Sequence, residues 1–230
     1  VLLSGDHGRI ARARRDRALT RTVERRPDMI RALDPAGLDR EDRALLARLG
    51  WAVPAGADHP VPVRLRNATA DDAHALAELA ARTFPDACGN VIDPEFLERH
   101  IATNLVPELF ATWADDDRVD LVVAELLEPS SVQEPSHGAP AGASTAPALV
   151  GYAAVLREEV DSEGEQPHGI DPRPACVRPV GGEVVGELSK VYVDAAMRGS
   201  GLTPALMDAV MRQAAAHGTS LFWLGTHVTN

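Results

Sequence analysis

Residues 186–203 constrain the fold more than any other stretch of this chain. An apolar run, Glu187-Leu188-Ser189-Lys190-Val191-Tyr192-Val193, passes through Asp194-Ala195-Ala196-Met197 into Arg198-Gly199-Ser200-Gly201-Leu202-Thr203. Leu202, Ala205, Leu206, Ala209, Val210 and Ala214 then recur at helical spacing up to His217. The order is strand, glycine turn, helix, and the strand-like Leu221–Leu224 follows. Such a turn offers free backbone N–H groups at the positive end of a helix, which suits a pyrophosphate. Glycine lets the main chain approach such a ligand closely. The pattern predicts an α/β domain with a phosphate-facing loop.

The rest of residues 62–230 supports that class. Val63–Arg66 alternates as a strand, and Thr69 caps a helix over Ala70–Thr83. Asp93-Pro94-Glu95 opens a helix to about Leu105, and Pro107–Asp115 predicts another. Val119–Leu127 and Val150–Leu156 read as strands of one hairpin. Two irregular Pro- and Gly-bearing insertions, 128–147 and 161–182, interrupt the pattern.

This segment resembles the GNAT acetyltransferase superfamily, whose phosphate loop follows R/Q-x-x-G-x-G/A. Arg198 and Gly201 match it; Thr203 stands at the final small position, followed by Pro204, which has no N–H. That departure removes a phosphate donor from the expected set. The resemblance implies a mixed, twisted sheet with flanking helices, splayed open beside its fourth strand. Acetyl-CoA would lie in the split. Its pantetheine would pair with Val191 and Val193, and its pyrophosphate would sit over Arg198, Gly199, Ser200, Gly201, Leu202 and Thr203. Glu187 matches the carboxylate that takes the amine proton in many relatives. Read from the residues alone, Glu187 is equally a structural carboxylate paired with Lys190. The resemblance covers about the first two-thirds of the usual fold, so its last elements, with the usual tyrosine acid, are expected to be missing.

The head of the chain is different. Val1-Leu2-Leu3-Ser4-Gly5-Asp6-His7 leads into an Arg-rich helix over Gly8–Arg25, closed by Arg25-Arg26-Pro27-Asp28. Ser4 or Asp6 can cap that helix. Short helices are predicted over Pro27–Leu33 and Asp39–Leu49, with Gly50 as a stop. Leu2, Leu3, Ser4, Gly5, His7, Ile10, Arg14, Arg15, Leu19, Arg21, Thr22, Arg25, Arg26 and Pro27 resemble the start of the tRNA-binding domain of bacterial tRNA (guanine-N1)-methyltransferases; Ala13 stands where that family has Trp. The resemblance implies tRNA as partner, held by Ser4, Gly5, His7, Arg9, Arg12, Arg14, Arg15, Arg25 and Arg26. His7 is as suited to capping or packing as to RNA. In that family S-adenosylmethionine and the catalytic Asp belong to an N-terminal knotted half outside this chain, and the parent enzyme is a homodimer. The chain alone is therefore expected to lack methyl transfer.

Charge divides the sequence in the same place. Residues 1–50 hold 12 Arg against 8 acidic residues, while residues 51–230 hold 11 basic against 26 acidic residues. A basic head can face phosphates and an acidic body repels them. Residues 51–61, WAVPAGADHPV, lack periodicity and are expected to be a linker between segments 1–50 and 62–230. No run approaches the roughly 20 apolar residues of a membrane span, so a cytoplasmic protein is expected. Cys88 and Cys176 are expected as two thiols without a nucleophilic role, and no His or Cys spacing suggests a metal. His217, His227 and Asp115-Asp116-Asp117 are expected at the surface, and Tyr192 in the core. Both ends are expected to be cuts in a longer protein. The sequence thus points to a fragment of a fused methyltransferase and acetyltransferase, with an unidentified amine as acceptor. The alternative is a non-catalytic GNAT-like appendage that serves as a structural or partner-binding module.

Overall fold

A computed structural model describes residues 6–88, 93–127, 148–159 and 182–225. Helices α1 (His7–Arg25), α2 (Pro27–Arg31) and α3 (Arg40–Arg48) come first, followed by strands β1 (Trp51–Ala52) and β2 (Val61–Asn67). Helices α4 (Ala73–Cys88), α5 (Pro94–Asn104) and α6 (Pro107–Asp115) precede strands β3 (Val119–Leu126), β4 (Leu149–Glu159) and β5 (Val184–Val193). Helix α7 (Leu202–Ala216) and strand β6 (Thr219–Trp223) complete the described residues. The six strands form one sheet in the order β1-β2-β3-β4-β5-β6. Strands β4 and β5 are antiparallel, β5 and β6 parallel, so the sheet is mixed, as the sequence predicts.

Local chemistry sets the helix starts. The Asp6 carboxylate accepts from the Arg9 N–H at 3.0 Å and caps α1, so Asp6 takes the role that Ser4 could also have filled. Ser4 and Gly5 lie outside the described residues. Asp39 caps α3 by accepting from the Asp42 N–H at 2.7 Å, and Asp93 caps α5. Thr69 and Asp72 form a capping box, but the first turn after it, Ala70–Asp72, is a 3₁₀ turn and the α-helix proper begins at Ala73. Helix α4 also runs past Thr83, through Pro85, to Cys88. A proline in a last turn removes a single backbone bond, which the packing of α4 outweighs.

Residues 51–61, expected as a linker, contain a short strand. Trp51 and Ala52 form β1 and pair antiparallel with Pro62 and Val61. Both are buried, together with Val53 and Pro54. A two-residue strand carries no visible periodicity, which is why the sequence hid it.

The chain falls into two compact units that interleave along the sequence. One comprises Val1–Arg64, Glu125–Ala148 and Ala195–Ala205, and the other Leu65–Ala124, Leu149–Asp194 and Leu206–Asn230. In the first, Leu19, Ile30, Leu38, Leu46, Trp51 and Val53 build a small core. In the second, Leu76, Leu79, Ala80, Phe84, Phe110, Leu121, Val123, Tyr152 and Ala154 build a larger one. Phe110 meets Tyr152 edge-on at 5.7 Å and Trp113 edge-on at 5.8 Å. Such contacts add about 1 kcal/mol each to the burial of the rings. Burial also pushes the Tyr152 phenol well above its ordinary value, with the neighbouring Tyr192 adding to it.

Candidate functional site

Strand β5 has unequal neighbours. Against β4 it pairs along its whole length, from Val193 opposite Gly151 to Val184 opposite Glu159. Against β6 it pairs only from Val184, opposite Thr219, to Glu187, opposite Trp223. From Leu188 to Val193, β5 has β4 on one side and no described strand on the other. The described β5–β6 pairing ends at Glu187, opposite Trp223, the last residue of β6. Val191 and Val193 lie beyond that point, opposite Ala153 and Gly151. Main-chain groups on such an edge can pair with an extended ligand.

A register shift decides which way Glu187 faces. Lys190 pairs with Ala154, but Leu188 pairs with Val155, so Ser189 is an extra residue in β5. After this bulge Glu187 lies opposite Leu156, in phase with Lys190 and Tyr192. All three share the face that carries Tyr152 and Ala154. Without the bulge, Glu187 would fall on the other face. The side chain is half-buried.

Aromatic groups line that face. Tyr192 stacks on Tyr152 at 5.6 Å and lies tilted 6.3 Å from Phe84. His100, from α5, stacks on Phe84 at 4.8 Å and on Phe96 at 5.9 Å. The Lys190 ammonium lies 5.9 Å from the centre of the Trp113 ring. Burial, and then the positive charge of Lys190, push the His100 imidazolium below its ordinary value of 6.5. The sequence reading overlooked His100; its i+4 spacing from Phe96 on a helix is the signal that could have found it. Tyr192, expected in the core, is half-buried.

The glycine loop belongs to the first compact unit. Gly199 and Gly201 adopt φ of +73° and +89°, which the turn into α7 requires. The N–H groups of Arg198 and Ser200 are used within the turn, donating to Ala195 and Met197 carbonyls at 3.2 Å each. The Leu202 N–H donates to the Ser200 hydroxyl at 3.3 Å. Beside Gly199 there is open space. Beside Gly201 there is none: a Cβ there would overlap the Arg43 carbonyl and lie 2.8 Å from the Ala44 nitrogen. The Val53 N–H donates to the Ser200 carbonyl at 3.3 Å, and the Ala55 N–H to the Ala196 carbonyl at 3.2 Å. Ser200 is fully buried and Thr203 exposed.

Helix α1 divides its arginines. Arg12 donates to Asp42 at 2.6 Å and Arg15 donates to it at 3.0 Å. Asp42 is only 2% exposed. Burial opposes its charge, but the hydrogen bonds and positive charges of Arg15 and Arg12 outweigh that and hold its carboxyl below the ordinary 3.8. His7, Arg9, Arg14, Arg25 and Arg26 are exposed, and Arg26 pairs with Asp28 at 2.6 Å. The sequence reading missed Asp42, because nothing in its spacing distinguishes it from Asp39 or Glu41.

Away from these groups, the fully buried Asp120 of β3 accepts from Arg157 at 2.8 Å and bonds the His217 ring at 2.7 Å. His217 is about half-exposed and lines a cavity of about 450 Å³ with Asp115, Asp116, Asp117 and Arg157. Among the described residues no cluster of His, Cys, Asp and Glu could hold a metal, and no helix is long and apolar enough to cross a membrane. Cys176, His227 and Asn230 lie outside the described residues.

The family model for acetyltransferases of the GNAT type matches residues 110–230, a little more than half of the chain. The chain belongs to the GNAT acetyltransferase family. A second model, for "T3SS (YopN, CesT) and YbjN peptide-binding chaperone 3", matches residues 4–103. Curated relatives match only the head. The tRNA (guanine-N(1)-)-methyltransferase of Bifidobacterium longum subsp. infantis is 60% identical over 60 residues, 26% of this chain and 21% of that protein. That of Salinispora tropica is 67% identical over 54 residues, 24% of this chain and 21% of that protein. The chain thus spans about a fifth of the length of these relatives. Among solved structures, the PaiA N-acetyltransferase of Thermoplasma acidophilum with coenzyme A is 12% identical, with a TM-score of 0.49, over 73% of this chain and 81% of that one. The ribosomal-protein-alanine N-acetyltransferase of Brucella melitensis biovar Abortus 2308 is 19% identical, with a TM-score of 0.39, over 72% of this chain and 81% of that one.

Proposed function

We propose that the GNAT segment transfers an acyl group from acyl-CoA, specifically acetyl-CoA, to an amine. The observation that carries this reading is the stretch of β5 beyond Glu187, which pairs with β4 on one side and with no described strand on the other. An extended pantetheine would lie along the main chain of Leu188–Val193. The diphosphate would lie on the helix N-terminus at Arg198–Thr203. Glu187, at the end of the described β5–β6 pairing and turned by the bulge onto the aromatic face, would take the proton from the attacking amine. The amine nitrogen bonds to the thioester carbon, the C–S bond breaks, and the thiolate leaves and takes up the proton that Glu187 removed from the amine.

On this reading the head, residues 1–50, is the tRNA-gripping segment of a methyltransferase joined to the GNAT segment through residues 51–61. Its exposed arginines would hold phosphates and set orientation more than sequence choice. S-adenosylmethionine, homodimerisation and cytoplasmic residence would belong to the parent protein.

A second reading has a specific observation behind it. The Arg43 carbonyl fills the space beside Gly201, and Thr203 and Pro204 depart from the family loop. Both favour a non-catalytic GNAT segment that serves as a structural or partner-binding module. Calorimetric titration of the whole chain with acetyl-CoA, carried to millimolar concentration, separates the two. Saturable one-site binding supports the enzyme. Heats equal to dilution from a folded chain overturn it in favour of the module.

A further inference from the structure

We propose that the segment from Leu38 to Ala55 is an autoinhibitory cover on the glycine loop, and that acyl-CoA binds only when α3 lifts off. The proposal rests on the reading of Arg198–Thr203 as the diphosphate site. At that loop, the group that meets Gly201 is the main chain of Arg43 and Ala44. The Arg43 carbonyl therefore packs directly against the Gly201 main chain and closes that side of the turn. A diphosphate approaching Gly201 from that side would meet the main chain of α3, while Arg198, Gly199 and Thr203 stay exposed.

The cover is built to stay closed. The N–H groups of Val53 and Ala55 donate to the Ser200 and Ala196 carbonyls and stitch the segment after β1 to the loop. The Arg43 guanidinium ties the segment to itself, donating to the Pro35 carbonyl at 2.8 Å, the Leu38 carbonyl at 3.2 Å and the Val53 carbonyl at 3.5 Å. Arg12 and Arg15 hold α3 from α1 through Asp42. A family loop open to solvent needs none of these contacts. Closed molecules lower the apparent affinity for acyl-CoA by the fraction that is open.

The test compares the whole chain with two variants. Arg43→Ala cuts the tie within the segment. Ala55→Pro deletes one N–H stitch at an exposed residue, which guards against misfolding of the first variant. Hydrogen exchange of the Gly199–Thr203 amides and acetyl-CoA titration are read on all three, with folding checked by circular dichroism. Faster loop exchange in a folded variant, with acetyl-CoA binding at least tenfold tighter than in the parent, is the expected result. Unchanged loop exchange in both folded variants overturns the cover, as does an acetyl-CoA affinity equal to or weaker than the parent's. Faster exchange without acetyl-CoA binding by any of the three upholds α3 as the cover of the loop and overturns the acyl-CoA reading instead.

Discussion

Among single residues, Glu187 and His100 offer the most direct tests. Glu187 ends the β5–β6 pairing and faces the aromatic side of the sheet. If it takes the amine proton, Glu187→Gln keeps the shape and removes the base, and kcat for acetyl transfer falls by about 10²-fold or more. Acetyl-CoA affinity in the same variant stays within about twofold, which calorimetry reads directly. His100 reports on Lys190, which shares that face with Glu187. Its imidazolium is disfavoured by burial and by Lys190, so the folded chain binds fewer protons here than the unfolded chain. The stability this group contributes is present above pH 6.5 and lost as pH falls below it. An NMR titration of His100 is expected to give a midpoint below 6.5, rising toward it in Lys190→Met, where burial alone remains.

At the scale of elements, β6 is held by little. Its register with β5 spans Val184 to Glu187, and Gly186 sits at the centre of that contact. A Cβ at Gly186 would come within 2.9 Å of the Thr219 methyl, 3.0 Å of Val155 and 3.2 Å of the Phe222 ring. Gly186→Val is therefore expected to cost about 1–3 kcal/mol by overpacking. Amide exchange over Thr219–Trp223 should accelerate more than over Leu149–Glu159. Much at this scale was legible in the sequence. Pro107–Asp115 is the helix its spacing predicts, and strands β2 to β6 lie within a few residues of their predicted places. What escaped was non-local. The Ser189 bulge turns Glu187 to its face, yet an alternating sequence looks the same with or without it. The burial of Asp42 depends on two arginines some thirty residues earlier, a separation no local pattern encodes.

For the whole molecule, the basic head and acidic body seen in the sequence remain the broadest clue to its partners. Arginine count alone, however, overstates what the head can offer to RNA. Helix α1 carries seven arginines, Arg9, Arg12, Arg14, Arg15, Arg17, Arg21 and Arg25, and two of them, Arg12 and Arg15, already clasp the buried Asp42. Counterion release measures the difference. With seven phosphate contacts, log K against log salt would fall with a slope of about −6, and with five of about −4.5. A transfer-RNA titration across salt concentrations is expected to give the shallower slope. In Asp42→Asn the freed guanidiniums should steepen it. An RNA that drew Arg12 and Arg15 outward would leave the buried Asp42 carboxylate without its counter-charges, a cost that keeps both arginines at their post.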